Sequence, residues 1–164
     1  MACGLTIDQL DFTRPVGIDP STTATGYYFD DVVHGVIKKP LAGSWRINLV
    51  DKLDAILDPT CPTVAIIESL PRNAMSAGIT GQAQGLVRYV LNTYGIPYLE
   101  LAPAAVKKLF AGKGNATKQD MIDQCILHGF NPQDDNVADA YALVHAGRKA
   151  ITVPPPKGDW LINR

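Results

Sequence analysis

The sequence has few cysteines and no long apolar run, which excludes several classes of protein. Its cysteines, Cys3, Cys61 and Cys125, are far apart and form no CxxC or Cys/His cluster. This excludes a disulfide framework and a zinc centre, and it is typical of a reducing compartment. No apolar segment approaches the roughly 18 residues of a membrane span, and the N-terminus, MACGLTIDQL, lacks the basic and apolar regions of a signal peptide. We therefore expect a cytoplasmic protein without a membrane partner.

The chain also lacks an excess of charge of either sign. Its formal net charge is −1, with 19% charged and 46% hydrophobic residues among 164. These values indicate a globular domain with a sizeable core rather than a disordered chain. No global basic field indicates nucleic acid, but a basic face offset by acids elsewhere is compatible with DNA binding.

The order of apolar and turn-forming segments predicts an α/β fold. The run TVAIIE (63–68) has the continuous apolar character of a central parallel strand. The stretch 20–26 predicts a turn, and Asp58-Pro59 predicts the end of the first helix. We expect strands at 16–19, 27–31, 32–39, 63–68 and 96–101, and helices at 48–57, 78–95, 103–110, 118–128 and 133–149.

These elements predict one mixed sheet within one domain. The first three strands form the pattern of an antiparallel meander, and the later strands alternate with helices. Proline marks both ends of the domain, at Arg14-Pro15 and in VPPPKGDW (153–160). We expect an N-terminal extension of residues 1–14, a domain of residues 15–150 and a Pro-rich C-terminal tail of residues 151–164.

Acidic residues stand at the ends of two predicted strands and on the last predicted helix. Asp19 ends the first strand, Glu68 ends TVAIIE, and Asp135 and Asp139 share one face of the helix because they lie four residues apart. If the two strands are neighbours, these carboxylates converge. Asp19 could instead belong to a turn, and Asp134 with Asp135 could cap the helix. Asp139, in the apolar part of the helix, is harder to explain structurally.

Converging carboxylates indicate a divalent-cation site. Like charges four residues apart on a helix cost about 0.2–0.5 kcal/mol, whereas Mg²⁺ prefers hard oxygen ligands and reverses that sign. Two such ions about 3.5–4 Å apart can activate a water and stabilise the leaving oxygen in phosphodiester hydrolysis. We expect two Mg²⁺ ions, replaceable by Mn²⁺, with metal-ligating and catalytic residues Asp19, Glu68, Asp135 and Asp139.

Five segments, in order, resemble the RuvC family of Holliday-junction resolvases in the RNase H-like superfamily. GIDPSTTATG is similar to the family's first strand and turn, IIES to its second acidic motif, and GQAQG to a segment of its central helix. PAAVKKLFAGKGNATKQDM (103–121) resembles its basic DNA-binding stretch, and DDNVADAYAL its C-terminal acidic motif. The resemblance, from Val16 to Ala146, implies an RNase H-like fold with a mixed five-stranded sheet flanked by helices.

The resemblance also implies an activity. Members are homodimers that bind a four-way DNA junction and make paired, Mg²⁺-dependent nicks, one per subunit, leaving 5′-phosphate and 3′-hydroxyl ends. Part of the helix 81–94 would form the dimer contact. A compact member of this kind fits a bacteriophage, and its expected location is the cytoplasm of a bacterium or of a phage-infected host.

Lysines without neighbouring acids predict the DNA-binding surface. Residues 101–118 contain four lysines and no Asp or Glu in a chain of net charge −1. Phosphate binding requires such segregation of charge, although an ordinary solvated helix and loop can have the same composition. Lys107 and Lys118 best match the family's basic positions. The candidate DNA contacts are Lys107, Lys108, Lys113, Lys118, Arg72 and Asn73.

The chain departs from the family pattern in the last acidic motif and in the loop after Glu68. Many relatives have an acid three residues before the final Asp, where this chain has Asn136. Asp135 is the preferred ligand, with Asp134 and Asn136 as alternatives. The loop SLPRNAMSAG (69–78) lacks the aromatic wedge that relatives use near the junction centre. A broader nuclease of forks, flaps or RNA–DNA hybrids is therefore the alternative function.

The first motif alone is compatible with another class of protein. GIDxxxxxTG also resembles the phosphate loops of actin-like ATPases. Those folds need two such domains, for which 164 residues are too few. A catalytically inactive DNA-binding module is disfavoured because all the acids are present.

Overall fold

One mixed sheet organises the part of the chain that the computed structural model describes, residues 6–70, 77–153 and 160–163. Within that part the strand order is β3-β2-β1-β4-β5-β6. The strands are β1 (Pro15–Asp19), β2 (Ala24–Tyr28), β3 (His34–Lys38), β4 (Val64–Glu68), β5 (Tyr98–Leu101) and β6 (Trp160–Asn163). The helices are α1 (Trp45–Thr60), α2 (Ala77–Thr93), α3 (Pro103–Ala111), α4 (Lys118–Leu127) and α5 (Asp135–Ala150).

The strand directions confirm the predicted mixed α/β sheet. β1, β2 and β3 form an antiparallel meander, and β4 and β5 run parallel to β1. The five predicted strands are all present. β6 adds a further antiparallel strand beside β5 and comes from residues that the sequence assigned to the C-terminal tail.

Alternate side chains of the central strands enter two separate cores, as the period of two of a β-strand requires. Val16 and Ile18 of β1 pack with α1 and α2 on one face. Val64 and Ile66 of β4 pack with α3, α4 and α5 on the other face. Asp19 lies two residues after Gly17 on β1, and Glu68 lies two residues after Ile66 on β4. Both carboxylates therefore point to the face of the sheet that α5 covers.

The turn between β1 and β2 is shorter than the sequence predicts. The predicted bounds of the turn (20–26) and of the second strand (27–31) are wrong, because β2 already begins at Ala24 and ends at Tyr28. The Thr25 hydroxyl donates to the Ser21 carbonyl oxygen at 2.7 Å and accepts from the Ser21 N–H at 3.0 Å. These bonds close the turn within a few residues. The Asp30 carboxylate then accepts the N–H groups of Val32 and Val33, which forms the next turn.

Helix α1 continues past the predicted stop at Asp58-Pro59. Pro59 lies in its last turn, where the missing proline N–H removes one hydrogen bond near the end of the helix. The Thr60 hydroxyl donates to the Ile56 carbonyl oxygen at 2.6 Å. The helix ends when Cys61 takes a left-handed conformation, with φ of 44°. No helix of the described residues is long and apolar enough to cross a membrane.

Residues before β1 pack against the domain. Leu10 is buried in the α5-side core, and Ile7 and Phe12 pack against that core. The Thr63 hydroxyl donates to the Asp11 carbonyl oxygen at 2.7 Å, immediately before β4. The described part of the predicted extension is therefore attached to the sheet.

Candidate active site

Asp19 and Glu68 end two neighbouring parallel strands. The register pairs Ile18 with Ile67, so the next residues, Asp19 and Glu68, lie side by side at the same edge of the sheet. The carboxyl ends of parallel strands in open α/β sheets are where ligands commonly bind. The condition stated from the sequence, that these two strands are neighbours, is therefore met.

Helix α5 lies unusually close to this edge because two glycines face it. A Cβ added at Gly17 would overlap the carbonyl oxygen of Ala140, and one at Gly26 would overlap that of Asn136. Only glycine permits the backbones to approach this closely. The approach places the first turns of α5, which carry Asp135 and Asp139, over β2 and β1, beside Asp19.

Burial and mutual repulsion perturb the three inner carboxyls. Burial raises the pKa of Asp19 to about 7, with a further contribution from the charges of Asp139 and Asp135. Burial raises the pKa of Glu68 to about 8, assisted by the charges of Asp19 and Asp139. The pKa of Asp139 rises to about 6, again through burial first and the charge of Asp135 second. The charges of Asp19 and Asp139 therefore act on the neighbouring acids of this site.

Asp135 differs from the other acids because a lysine neutralises it. The Lys118 ammonium donates to the Asp135 carboxylate and forms an ion pair with it. That bond lowers the pKa of Asp135 and raises the pKa of Lys118. Asp135 thus lies at the outer rim of the acidic cluster.

Asp134 caps helix α5. Its carboxylate accepts the Asn136 backbone N–H at 2.8 Å and the Asn136 side-chain amide at 2.5 Å. This is the capping role that the sequence left open for Asp134. The charge of Asp135, by contrast, acts on both Asp19 and Asp139.

The predicted DNA-contact lysines divide into two groups. Lys107 and Lys118 face the acids, since the charge of Lys107 lowers the pKa of Glu68 and Asp139. Lys113 instead pairs with Asp120 at 3.0 Å beside the N-terminus of α4. Lys108 is exposed in the last turn of α3. Arg72 and Asn73 lie outside the described residues.

A buried amide that sequence reasoning missed holds the end of β4. The Gln84 side-chain nitrogen donates to the Glu68 carbonyl oxygen at 2.9 Å. Gln84 belongs to the GQAQG segment of α2 and is only 1% exposed. A polar residue within the otherwise apolar inner face of α2 was the available sequence signal.

The donor set fits a hard divalent cation. The perturbed side chains offer carboxylate oxygens, the ligands that Mg²⁺, Mn²⁺ and Ca²⁺ prefer, and a cation would offset the repulsion that raises their pKa values. As the side chains of the described residues are placed, no three His, Cys, Asp or Glu residues are arranged to hold a metal ion. Coordination by these carboxylates would therefore require rotation of their side chains.

The sheet has the strand order of an RNase H-like protein. Carboxylates at the ends of two neighbouring parallel strands, with a helix packed across the sheet, agree with that class. The model of one family, described as Crossover junction endodeoxyribonuclease RuvC, matches residues 16–146. The chain belongs to this RuvC family of crossover junction endodeoxyribonucleases. Nucleases of this family depend on divalent metal ions.

Relatives of known family are similar over most of the chain. The RuvC crossover junction endodeoxyribonuclease of Carboxydothermus hydrogenoformans is 32% identical over 147 residues, which cover 80% of this chain and 93% of that protein. The RuvC of Sorangium cellulosum is 32% identical over 145 residues, covering 79% of this chain and 81% of that protein.

Solved structures establish the same fold. The RuvC structure of Thermus thermophilus superposes with a TM-score of 0.68 at 22% identity, covering 80% of this chain and 91% of that chain. The same RuvC in complex with a Holliday junction substrate also gives 0.68 at 22% identity, covering 80% and 90%. The yeast mitochondrial Holliday junction resolvase gives 0.59 at 15% identity, covering 89% and 83%.

Proposed function

We propose that this chain is a structure-selective DNA endonuclease that resolves four-way junctions by paired nicks. The observation that carries the proposal is the strand register that sets Asp19 and Glu68 side by side where β1 and β4 end. The charge of Asp139 on α5 raises the pKa values of both carboxyls further. Membership of the crossover junction endodeoxyribonuclease family supplies the reaction. The products are 5′-phosphate and 3′-hydroxyl ends, and the site of action is the cytoplasm of a bacterium or phage-infected host.

The acidic cluster holds the divalent cations of the reaction. Mg²⁺ is the expected ion, two per site, with Mn²⁺ able to replace it. When bound, such ions supply a nucleophilic water and stabilise the leaving oxygen in phosphodiester hydrolysis. Asp19 and Glu68 act as inner ligands on rigid strand ends, and Asp139 approaches from α5. Asp135 is the fourth ligand of this proposal. Its charge acts on Asp19, whereas the neighbouring Asp134 is already bonded as the cap of α5.

Lysines next to the acids provide the contact with DNA phosphates. Lys118 neutralises Asp135 in the protein alone. A cation held by Asp135 would displace the Lys118 ammonium, which would then be available to a phosphate oxygen. In this proposal Lys107 contacts the strand that is cut, which is supported by the effect of its charge on Glu68 and Asp139. Lys108, Lys113, Arg72 and Asn73 are the more peripheral contacts of this proposal.

Two copies of the chain act together on one junction. Paired nicks need two active sites, and a homodimer supplies them. On α2, Ile79 and Tyr89 are each 63% exposed, and the half-buried Leu86 lies between them at helical spacing. This apolar stripe supports α2 as the dimer contact. The nuclease domain comprises residues 15–150, with the flanking segments attached to it.

The second candidate is a broader nuclease of forks, flaps or RNA–DNA hybrids. Residues 69–78 contain no Phe, Tyr or Trp, so they offer no aromatic wedge for the centre of a junction. A nuclease without such a wedge can retain the acidic chemistry while discriminating less between branched substrates.

A substrate panel tests the proposal. An immobile four-way junction, a fork, a 5′-flap, linear duplex and an RNA–DNA hybrid, each end-labelled, are incubated with the protein and Mg²⁺, and the nicks are mapped. Symmetrical nicks in two opposed strands of the junction, with intact duplex, are expected. Comparable cutting of fork and flap would establish the broader nuclease instead. Cutting of no substrate with either Mg²⁺ or Mn²⁺ would refute both.

A further inference from the structure

The carbonyl group of Glu68 stands where the sheet cannot supply a donor. In the register of β1 with β4, the backbone groups of Val64, Ile66 and Glu68 face β1, and those of Ala65 and Ser69 face β5. The next bond of the ladder would run from the N–H of residue 20 to the Glu68 carbonyl oxygen. Residue 20 is proline, which has no N–H. The β1–β4 ladder therefore stops one bond short, at the carbonyl of a proposed metal ligand.

Gln84 supplies the missing donor from α2, on the face of the sheet opposite to α5. Its side-chain nitrogen lies 2.9 Å from the Glu68 carbonyl oxygen. Its neighbours on α2, Ala83 and Val87, are in the apolar core between α2 and the sheet. The Gln84 side-chain oxygen is buried without a partner among the described residues. The bond to Glu68 is thus the hydrogen bond that the described structure gives this buried amide.

We propose that Gln84 is a positioning residue, which fixes the Glu68 peptide in place of the ladder bond that Pro20 cannot make. A buried carbonyl oxygen without a donor is unfavourable, so loss of the amide favours rotation of the peptide at the end of β4. Because the Glu68 side chain stems from this peptide, its carboxylate moves relative to that of Asp19. The effect on catalysis rests on the proposed function, whereas the effect on the Glu68 backbone does not.

The test uses a double-mutant cycle between Gln84 and Pro20. Gln84→Met keeps an unbranched side chain of similar size and removes the donor. Pro20→Ala restores an N–H at residue 20. Gln84→Met is expected to lower kcat on a four-way junction about 10- to 100-fold and to raise the Mg²⁺ concentration for half-maximal rate, as loss of ligand-supporting bonds does. KM for the junction should change less than about twofold, since Gln84 is buried away from DNA.

Recovery of activity in the double variant distinguishes a positioning role of Gln84 from a general effect on stability. If Gln84 acts through the Glu68 carbonyl, Pro20→Ala should recover much of the loss when combined with Gln84→Met, even if Pro20→Ala alone is slightly impaired. Independent effects of the two substitutions, or unchanged kcat and Mg²⁺ dependence in Gln84→Met, would overturn the proposal. Gln84→Leu, which also lacks a donor and is of similar size, replaces Gln84→Met if that variant does not fold.

A readout without catalysis completes the test. Crystal structures of the wild-type protein and the Gln84 variant give the orientation of the Glu68 peptide and the distance between the Asp19 and Glu68 carboxylates. A rotated Glu68 peptide supports positioning even if the wild-type protein nicks no junction, in which case only the proposed function fails. An unmoved Glu68 peptide overturns the inference, whatever the activities are.

Discussion

Gly17 of β1 lies directly beneath Ala140 of α5, so closely that a Cβ at Gly17 would overlap the Ala140 carbonyl oxygen. Each of these residues is near a site acid, since Gly17 precedes Asp19 by two residues and Ala140 follows Asp139 directly. The contact therefore fixes how far α5 stands from the end of β1. A backbone-to-backbone contact of this kind cannot relax through a side-chain rotamer, so it sets the spacing between the acids rigidly.

Gly17→Ala should destabilise the protein and separate the acids. Overpacking of a core generally costs about 1–3 kcal/mol, and here the added methyl group meets backbone, so we expect the upper end of that range. Urea denaturation measures the loss in the free energy of unfolding. Gly85→Ala on α2 is the control, because its Cβ meets nothing within 4 Å and an alanine in a helix gains up to about 1 kcal/mol. Equal stability of the two variants would contradict the close approach.

Stability without divalent cations should fall as pH rises from roughly 6.5 to 8.5. The folded protein holds protons on Asp19 and Glu68, whose pKa values are about 7 and about 8, while the unfolded chain has already lost them. Folded protein then binds more protons than unfolded, and the free energy of unfolding decreases with pH. His145, with a pKa lowered to about 4 from 6.5, has the opposite effect mainly between those two values, so it opposes the decline only at the low end of this window. Denaturation curves in EDTA at several pH values measure the slope.

Asp19→Asn is the control for that slope. It removes the titration of Asp19 and one of the charges that raise the pKa of Glu68, so stability should depend less on pH. Adding Mg²⁺ at about pH 8 should restore stability to the wild-type protein more than to the variant. A wild-type stability that stays level or rises across the window would mean that the carboxyls do not interact as described.

Much of this site was predictable from local sequence patterns. Asp19 and Glu68 each end an apolar run of strand length, and such runs become neighbouring parallel strands in an α/β chain. The predicted start of α4 at residue 118 is confirmed, and Thr117 and Asp120 form a capping box there. These patterns depend on neighbouring residues and on backbone hydrogen bonding, so the structures that they predict are found in the folded protein.

The remaining features depend on contacts between distant segments. The early start of β2 follows from the Thr25 side chain bonding to Ser21, which a tract of Thr and Ser does not reveal. The Gln84 bond depends on the relation of α2 to β4, and β6 depends on an exposed edge of β5. The ion pair of Lys118 with Asp135 joins two helices, so a lysine predicted to contact DNA also neutralises a proposed ligand.

Replacing Lys118 should change cation binding and DNA binding in opposite directions. In Lys118→Met, Asp135 loses its ammonium partner, so Mn²⁺ should bind the DNA-free protein several-fold more tightly. Junction binding should weaken, and the slope of log affinity against log salt should fall by about 1, as for the loss of one phosphate contact. Calorimetry with Mn²⁺ and fluorescence anisotropy with a labelled junction measure the two effects.

Lys108→Met provides the matched control for that prediction. Lys108 is exposed on α3 and carries the same charge. Its replacement should weaken junction binding without tightening Mn²⁺ binding. If both variants changed the affinity for Mn²⁺ equally, the change would reflect the net charge of the protein rather than the ion pair with Asp135.

Tyr89→Glu should convert a dimer into monomers. Tyr89 is 63% exposed in the apolar stripe of α2, and a charge there opposes burial of that stripe between two copies. Ile47→Glu on α1 is the control, because Ile47 is equally exposed at 63%. Sedimentation equilibrium gives the masses. A Tyr89→Glu protein that remains dimeric, or a wild-type protein that is monomeric at micromolar concentration, would refute α2 as the contact.

The most direct test of the acidic cluster is the nicking rate of an immobile four-way junction with Mg²⁺, compared between wild-type protein, Asp19→Asn and Glu68→Gln. Each substitution should reduce the rate by about two to three orders of magnitude, since loss of a ligand to a catalytic cation costs several kcal/mol. Junction binding in EDTA should persist. Asp123→Asn, an exposed acid of α4 that is bonded to Gln119, should nick at the wild-type rate. Wild-type rates in Asp19→Asn and Glu68→Gln would contradict the assignment of the active site.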